Sequence, residues 1–325
     1  MKRLLVLLLV AAMVFGASFA VAASGEGLVI GFSQKTRHSP YYIAMDQAMH
    51  DLAAEYGFEL ISVNAGADMV KQQADIEDLI AKGVDLLIVD SQDPIGIIAV
   101  SKNIAEAGIP LFLLNTTVDP SAVYVTLVQS NNMTIGSMVG EWLGNNVSGE
   151  IRIGLLSGNP GNMVGYGRRS GLFQGLAEAQ LISTNTTNFR VLTQGWGNWS
   201  AEGGLSAAED MLVAAPDINV IFAENDAKAL GAITAVRNAG KEGQVTVLSI
   251  DGQREALEAI RAGTLHATGL NSPIELARVT VDIALRYHAG ERGFPSLVNT
   301  TPSVISAANV NEYYNPDVPF GFRAQ

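Results

Sequence analysis

Residues 28–63 read LVIGFSQKTRHSPYYIAMDQAMHDLAAEYGFELISV, and this stretch decides the fold class. It opens with Leu28 to Phe32, an apolar run that is typical of a buried strand. A helix is predicted over Tyr41 to Tyr56, with Pro40 at its start. A second apolar run, Phe58 to Val63, is the next predicted strand. Strand, helix and strand in this order indicate a βαβ unit with parallel strands.

The same alternation continues along the chain and then begins again. The further predicted strands are 85–89, 110–114, 151–156, 219–222 and 245–250. The further predicted helices are 69–81, 95–107, 200–213 and 227–239. Apolar strands that alternate with helices imply a parallel sheet covered on both faces. Because a second series starts at Ile151, the 325 residues predict two similar α/β lobes. The last segments, 274–288 and 303–309, fit either lobe.

The start of the chain is typical of an export signal. Lys2 and Arg3 are followed by an apolar segment and by Ala20-Val21-Ala22, so we predict a signal peptide over residues 1–22, cleaved near Ala22. The alternative is an uncleaved anchor, but the apolar run is about half the roughly 20 residues that a membrane span needs. The chain has no cysteine, which excludes disulfides and thiol lipidation. The predicted location is the periplasm.

Charge and motifs narrow the function classes. The net charge of −12 argues against nucleic acid and anionic lipid, which both need a basic face. No Gly-x-Ser-x-Gly elbow, Walker-type loop or cysteine nucleophile occurs in the sequence. The four histidines are dispersed and lack the spacing of common zinc sites. We therefore expect no enzyme, no cofactor and no metal.

Polar residues stand directly after the predicted strands. They are Ser33, Asn115-Thr116, Asn225-Asp226 and Asp251-Gly252. In open parallel sheets, ligands bind outside the carboxyl ends of the strands, so these positions are the candidate site. The set offers hydroxyl, amide and carboxylate groups rather than a concentration of nucleophiles.

At these loops the chain resembles the ribose- and galactose-type periplasmic sugar-binding proteins, which share their fold with the effector domains of LacI-type repressors. The resemblance covers about residues 27–312. Its motifs are Ser39-Pro40-Tyr41-Tyr42, Arg168-Arg169-Ser170-Gly171, Phe222-Ala223-Glu224-Asn225-Asp226 and Ser249-Ile250-Asp251-Gly252.

This resemblance implies the type I fold: two doubly wound parallel-sheet lobes joined by a three-segment hinge. The chain would cross near residues 129–131, 270–272 and 296–301. The predicted domains are an N-terminal lobe of 27–129 plus 272–298, a C-terminal lobe of 130–271 plus 299–315, and a tail of 316–325.

The resemblance also implies the ligand-binding residues. They are Ser33, Ser39, Tyr41, Tyr42, Asn115, Thr116, Arg168, Trp199, Asn225, Asp251 and Asn271. The aromatic rings would pack on the apolar faces of a sugar, and Arg168 and Asp251 would bond its hydroxyl groups. Arg169 would be a solvated helix residue. Alternatives stay open for three positions: Tyr42 as a core residue, Trp199 as a hydrophobic staple and Asn225 as a helix cap.

Two departures bear on the ligand. Asn115-Thr116 stands where ribose-type relatives have an Asp-Arg pair, and Ser39 stands where they have Asn. We therefore expect a ligand other than D-ribose, with pentoses, hexoses, deoxy sugars and polyols open. Arg37 or His38 could contact an acidic sugar, but a solvated loop is the preferred interpretation of the run Lys35 to His38.

The function that the resemblance implies is capture of a monosaccharide or sugar-like polyol for an ABC importer, by a monomer whose partner is the permease in the inner membrane. A chemoreceptor is left open as a further partner. The alternative functions are a periplasmic sensor that presents its ligand to a membrane receptor and, more distantly, a sugar-active enzyme.

Overall fold

Two six-stranded sheets organise the protein in the computed structural model, which describes residues 24–322. The strands are β1 (Val29–Gln34), β2 (Glu59–Asn64), β3 (Leu86–Val89), β4 (Leu111–Leu114), β5 (Thr126–Gln129), β6 (Ile151–Ser157), β7 (Phe189–Trp196), β8 (Val220–Ala223), β9 (Thr246–Asp251), β10 (Ala267–Leu270), β11 (Leu297–Asn299) and β12 (Val304–Ser306). The helices are α1 (Pro40–Tyr56), α2 (Met69–Ala81), α3 (Ile97–Glu106), α4 (Asn132–Asn146), α5 (Met163–Thr184), α6 (Ala201–Ala214), α7 (Asp226–Asn238), α8 (Arg254–Arg261) and α9 (Pro273–His288), followed by a 3-10 turn at Val310–Glu312.

The two sheets have the same strand order. The first runs β11-β5-β4-β3-β1-β2 and the second β12-β10-β9-β8-β6-β7. All pairs are parallel except β10 with β12. In this doubly wound order, the direction in which successive strands are added reverses between β1 and β3, and again between β6 and β8. Such switch points form a crevice at the carboxyl edge of a sheet. The structure confirms the predicted fold class of two similar lobes.

Each sheet has an apolar core on both faces. In the first lobe, α1 and α9 cover one face around Phe32 and Phe112, and α2 and α3 cover the other around Ile76 and Leu113. In the second lobe, α4 and α5 cover one face around Phe222, while α6, α7 and α8 cover the other. The fully buried strands read as continuous apolar runs because neither face meets water.

The helix pair α4–α5 of the second lobe is packed backbone to backbone. A β-carbon at Gly175 would overlap the carbonyl oxygen of Ser137 on α4, so only glycine allows this approach. The pair covers β6, β9 and β10, and it places Arg168 of α5 at the carboxyl edge of the sheet.

The chain passes between the sheets after Gln129, after Leu270 and after Asn299. Helix α9, which follows the second passage, packs on α1 and therefore lies in the first lobe. Two passages are joined by hydrogen bonds: the hydroxyls of Ser130 and Thr300 are 2.9 Å apart, and the Thr300 amide donates to the Gln129 carbonyl at 2.9 Å.

Two predictions concern the ends of the chain. The predicted signal peptide, residues 1–22, lies outside the described residues. In the segment predicted as a tail, Phe320 is buried, pairs with Gln253 in a β-bridge and packs edge-on against Tyr41 at 5.8 Å between ring centroids. None of the helices formed by residues 24–322 is long and apolar enough to cross a membrane.

Candidate functional site

The first lobe places a carboxylate, a lysine and two polar side chains at its switch point. Lys35 follows β1 and Asp90 follows β3, with 3.8 Å between the ammonium and the carboxylate. Thr116, after β4, donates to Asp90 at 2.7 Å and accepts from Lys35 at 2.8 Å. The amide of Asn115 lies 3.3 Å from both Asp90 oxygens. We call Lys35, Tyr42, Asp90, Asn115 and Thr116 the first-lobe half-site.

Two tyrosine rings stand beside this half-site, at the start of α1. Tyr41 and Tyr42 pack edge to face, with ring centroids 5.4 Å apart. The Lys35 ammonium is 5.2 Å from the centre of the Tyr42 ring. Both tyrosines keep part of their surface exposed, as expected for rings at the mouth of a cleft. The α1 helix can start here because Pro40 occupies its first turn, where its missing amide hydrogen is not needed.

In the second lobe, Arg168 is the centre of the polar contacts. Its guanidinium is 2.9 Å from the carboxylate of Asp251, which ends β9. It also donates to the Asn132 side chain at 2.8 Å and to the Glu224 carbonyl at 2.5 Å. The side chain is only 3% exposed, so these bonds form in a medium where charge-assisted contacts are strong. We call Arg168, Trp199, Asp251 and Asn271 the second-lobe half-site.

A chain of hydrogen bonds joins the two half-sites. The Tyr41 hydroxyl lies 3.2 Å from the Asn115 side-chain oxygen and 3.3 Å from that of Asn271. Asn271, in the second passage between the sheets, donates to Asp251 at 3.0 Å. Tyr41, Asn115, Thr116, Arg168, Asp251 and Asn271, six of the residues proposed from sequence, are therefore linked through shared contacts.

Burial raises the pKa of the two carboxyl groups, Asp90 and Asp251. Desolvation raises the pKa of Asp251 above its ordinary value, although Arg168 and Asn271 oppose the shift. Desolvation likewise raises the pKa of Asp90, against the ammonium of Lys35 and the bonds from Thr116 and Asn115. For Lys35, burial acts to lower the pKa, but Asp90 and Tyr42 together outweigh it and the net shift is upward. Each carboxylate would therefore be stabilised by further hydrogen-bond donors.

Trp199 lies at the same edge of the second sheet, between β7 and α6. Its indole ring lies on the backbone of Gly158, where a β-carbon would overlap it, and its other neighbour is the Lys228 ammonium, 4.2 Å from the ring centre. Asn225 caps α7 by accepting from the Lys228 amide at 3.3 Å, and it also donates to the Trp199 carbonyl at 3.2 Å. Asn225 thus acts as the helix cap that its sequence position allowed.

Ser33 and Ser39, two of the proposed residues, belong to neither half-site. Ser33 is fully buried at the end of β1 and accepts from Gln72 at 3.3 Å. Ser39 is the residue before α1, and its side chain makes no capping bond. Arg37 turns away from the site to Asp46 and Ser62, at 2.6 and 2.7 Å, while His38 is exposed.

The structure corrects the sequence-based interpretation of Arg169. It was expected to be a solvated helix residue, but its guanidinium pairs with the buried carboxylate of Glu224 and its side chain is 19% exposed. The prediction was wrong because Glu224, the residue that attracts Arg169, is 55 positions away and meets α5 only in the fold.

Three charged residues were missed. Asp90 directly follows the apolar strand ending at Val89, so the rule that identified Asn115 would also have found it. Glu224 stands in the same way after β8. Lys35 was assigned to a solvated loop, and no sequence signal distinguishes it from its polar neighbours.

Comparison with known proteins supplies the family. Residues 30–292 match the periplasmic binding protein domain. The chain belongs to the periplasmic binding protein family. Among its relatives, the ribose import binding protein of Bacillus subtilis is 29% identical over 255 residues, which are 78% of this chain and 80% of the relative.

Solved structures of this family have the same fold. An ABC transporter solute-binding protein of Actinobacillus succinogenes with bound D-allose has a TM-score of 0.79 and 28% identity, and the match covers 88% of this chain and all of that one. A solute-binding protein of Bacillus halodurans with bound myo-inositol has a TM-score of 0.77 and 27% identity, covering 89% and 98% of the two chains.

Proposed function

We propose that this protein binds a monosaccharide or cyclic polyol in the cleft between its lobes and delivers it to an ABC importer. The observation that carries the proposal is the pair of buried carboxylates, Asp90 and Asp251, one in each lobe and each beside a cation. Since each cation balances a carboxylate, a ligand with hydroxyl groups and no net charge fits the pair best.

The remaining hydrogen-bonding capacity supports this ligand class. The bonds from Arg168 and Asn271 both end on Oδ1 of Asp251, and no residue within 24–322 bonds Oδ2, which leaves Oδ2 to accept from a ligand hydroxyl. Sugars and inositols carry adjacent hydroxyls that donate to a carboxylate and accept from a guanidinium at the same time. Charge-assisted bonds of this kind contribute about 1.5–3 kcal/mol each.

Each lobe has an aromatic ring beside one of its lysine side chains. Tyr41 and Tyr42 belong to the first lobe and Trp199 to the second. The C–H faces of a sugar or inositol ring are apolar and pack on such rings, while the hydroxyls point outward to the polar groups. Two similar proteins have been solved with bound D-allose and with bound myo-inositol, which are ligands of this class.

The expected exclusion of D-ribose is a separate proposal. It rested on Ser39 in place of Asn and on the absence of an Asp-Arg pair at Asn115-Thr116, but Asp90 and Lys35 bring a carboxylate and a cation to the latter place. D-Ribose therefore belongs among the ligands to be tested.

Family membership supports a periplasmic location, and with it export by the predicted signal peptide over residues 1–22. We propose the permease of an inner-membrane ABC importer as the partner. A ligand that contacts both lobes favours the closed arrangement, and closure would then present one combined surface to the permease.

A thermal-shift and calorimetric screen tests the proposal. The panel is D-allose, D-ribose, D-galactose, L-arabinose, myo-inositol and glucuronate, with Asp251→Asn as the site variant and the exposed Asp282→Asn as its control. We expect a neutral sugar or inositol to raise the melting temperature, because it binds only the folded state. Asp251→Asn should weaken that ligand about 10–150-fold, and Asp282→Asn should leave it unchanged. A preference for glucuronate, or equal affinity in both variants, would contradict the assignment.

A further inference from the structure

Lys228 is a buried ammonium at the edge of the second-lobe half-site. Its side chain is fully buried. Among the buried side-chain nitrogen and oxygen atoms of residues 24–322, only Nζ of Lys228 has no hydrogen-bond partner. Glu224 lies 3.9 Å away, beyond hydrogen-bond distance. Because burying a charge without full compensation is unfavourable, this position needs an explanation beyond packing.

The group that Lys228 does contact is the ring of Trp199. The ammonium is 4.2 Å from the ring centre, well within the range of a cation–π interaction. The indole lies on the backbone of Gly158, where a side chain would overlap it. Lys228 and Gly158 together therefore fix the position of this ring.

The backbone at Trp199 is strained, so the ring needs such support. Asn198 and Trp199 have φ values of 44° and 59°, in the left-handed region that residues with a side chain rarely adopt. Such a conformation persists only where neighbouring contacts determine it. The bond from Asn225 to the Trp199 carbonyl fixes the backbone, and the contact with Lys228 fixes the ring.

We infer that Lys228 is a positioning residue, which holds the Trp199 ring in place for the ligand while its ammonium is charged and releases it when the charge is lost. The inference rests on the proposed function, since it gives Trp199 a ligand to contact. Lys228 cannot itself reach a ligand in the cleft, because its side chain is fully buried.

Ionisation gives this arrangement a pH dependence. Burial lowers the pKa of Lys228 to about 7, although the nearby Glu224 carboxylate opposes the shift. The other charged groups that face the ammonium are Arg168 and Arg169 of α5, which favour loss of its proton, and Asp251 of β9, which opposes it. Gly197, before α6, packs on the Cδ of the Lys228 side chain, and Gly204 of α6 packs on the Lys228 backbone. As the pH rises through 7, the ammonium becomes neutral and its attraction to the indole is lost.

The test measures Trp199 directly, without a ligand. Tryptophan emission is followed from pH 5.5 to 9, and the spectrum of Trp199→Phe is subtracted to remove the other two tryptophans. Lys228→Met keeps the length of the side chain without its charge. Lys228→Arg keeps a charge that does not titrate. Lys71→Met, on the exposed face of α2, is the control for loss of a lysine.

We expect the Trp199 emission of the unmodified protein and of Lys71→Met to change with a midpoint near pH 7. Lys228→Met should show no such step, and Lys228→Arg should keep the low-pH emission throughout. At pH 8.5 Lys228→Met should melt no lower than the unmodified protein, because Lys228 is then neutral and Glu224 keeps Arg169 as its cation.

Ligand affinity is the second readout, with D-allose as the probe and myo-inositol if D-allose does not bind. Between pH 6 and pH 8.5 the affinity of the unmodified protein should fall about fivefold to tenfold, as expected for loss of a desolvated cation–π contact. Lys228→Met should bind weakly at both pH values. A Trp199 signal that does not titrate, or that titrates equally in Lys228→Met, overturns the inference. If no sugar binds the unmodified protein, the proposed function fails, while the emission step still decides whether Lys228 holds Trp199.

Discussion

The two lobes have the same strand order, yet they surround the same position with different chemistry. Asp90 follows β3 in the first lobe, and Glu224 follows β8, the equivalent strand, in the second. Asp90 meets one lysine, one hydroxyl and one amide. Glu224 meets Arg169 and Lys228, and the Arg168–Asp251 pair lies beside it. The strand order thus places a carboxylate at the same position in both lobes. The surrounding segments determine which cations and hydrogen-bond donors balance its charge.

The two half-sites also differ in how deeply their cations are buried. In the second lobe, the charges of Arg168 and Lys228 are almost fully buried, and their positions depend on packing in α5 and α7. In the first lobe, the lysine side chain is 19% exposed and lies in a loop. Removal of Arg168 should therefore reduce stability and binding together, whereas removal of Lys35 should affect mainly binding.

The largest effect is expected for Arg168→Met. It leaves Asp251 buried without its cation, and removing one partner of a buried pair reduces stability by about 3–5 kcal/mol. Sugar binding should fall by at least about 100-fold. Urea unfolding and calorimetry measure the two quantities. A variant with native stability would show that the second-lobe half-site is less buried than described.

A smaller loss is expected for Gly175→Ala, in the helix pair that carries Arg168. The added β-carbon overlaps the Ser137 carbonyl, so α4 and α5 must separate, at a cost of about 1–3 kcal/mol of stability. The matched control is Gly167→Ala in the same helix, where the nearest atom would be 3.3 Å away. Urea unfolding of both variants decides the matter. Equal stability of the two would disprove the close packing of these helices.

The smallest effect is expected for Lys35→Met in the first lobe. Asp90 keeps its bonds from Thr116 and Asn115 when the ammonium, 3.8 Å away, is lost, so affinity should fall only about twofold to fivefold and stability by about 1 kcal/mol. Loss of the ammonium removes a group that favours the ionised form of Asp90, and the pKa of Asp90 then rises further. The loss of affinity should therefore be larger at pH 5 than at pH 8, as calorimetry can measure. An effect as large as that of Arg168→Met would contradict the proposed difference between the half-sites in their sensitivity to loss of a cation.

The architecture could be predicted from the sequence because buried parallel strands are continuous apolar runs. Helix α2 was predicted with its observed bounds, and β3 and β4 to within one residue. Strand β7 was not predicted, because it is an edge strand in which no residue is buried and the apolar run is therefore interrupted. Strand β11 is only three residues long, and its pairing with β5 brings together parts of the chain about 170 residues apart.

The site was predictable where a residue follows a strand or belongs to a family motif, as for Asn115, Asp251 and Arg168. What sequence could not provide were contacts between distant segments. Arg169 pairs with Glu224, and Lys228 meets Trp199, because α5, α7 and the loop after β7 converge at one edge of the second sheet. Phe320 meets Tyr41 for the same reason, from the far end of the chain.

Asn271 combines two roles that are usually separate, since it bonds both Tyr41 and Asp251 and also lies in a segment that connects the lobes. When two rigid bodies swing apart, points close to the axis of rotation move least. The Tyr41–Asn271–Asp251 contacts should thus survive opening, whereas Lys35 and Trp199 separate. A ligand would therefore first contact the Tyr41–Asn271–Asp251 group, which is already arranged in the open form. Lys35 and Trp199 would contact it only when the lobes close.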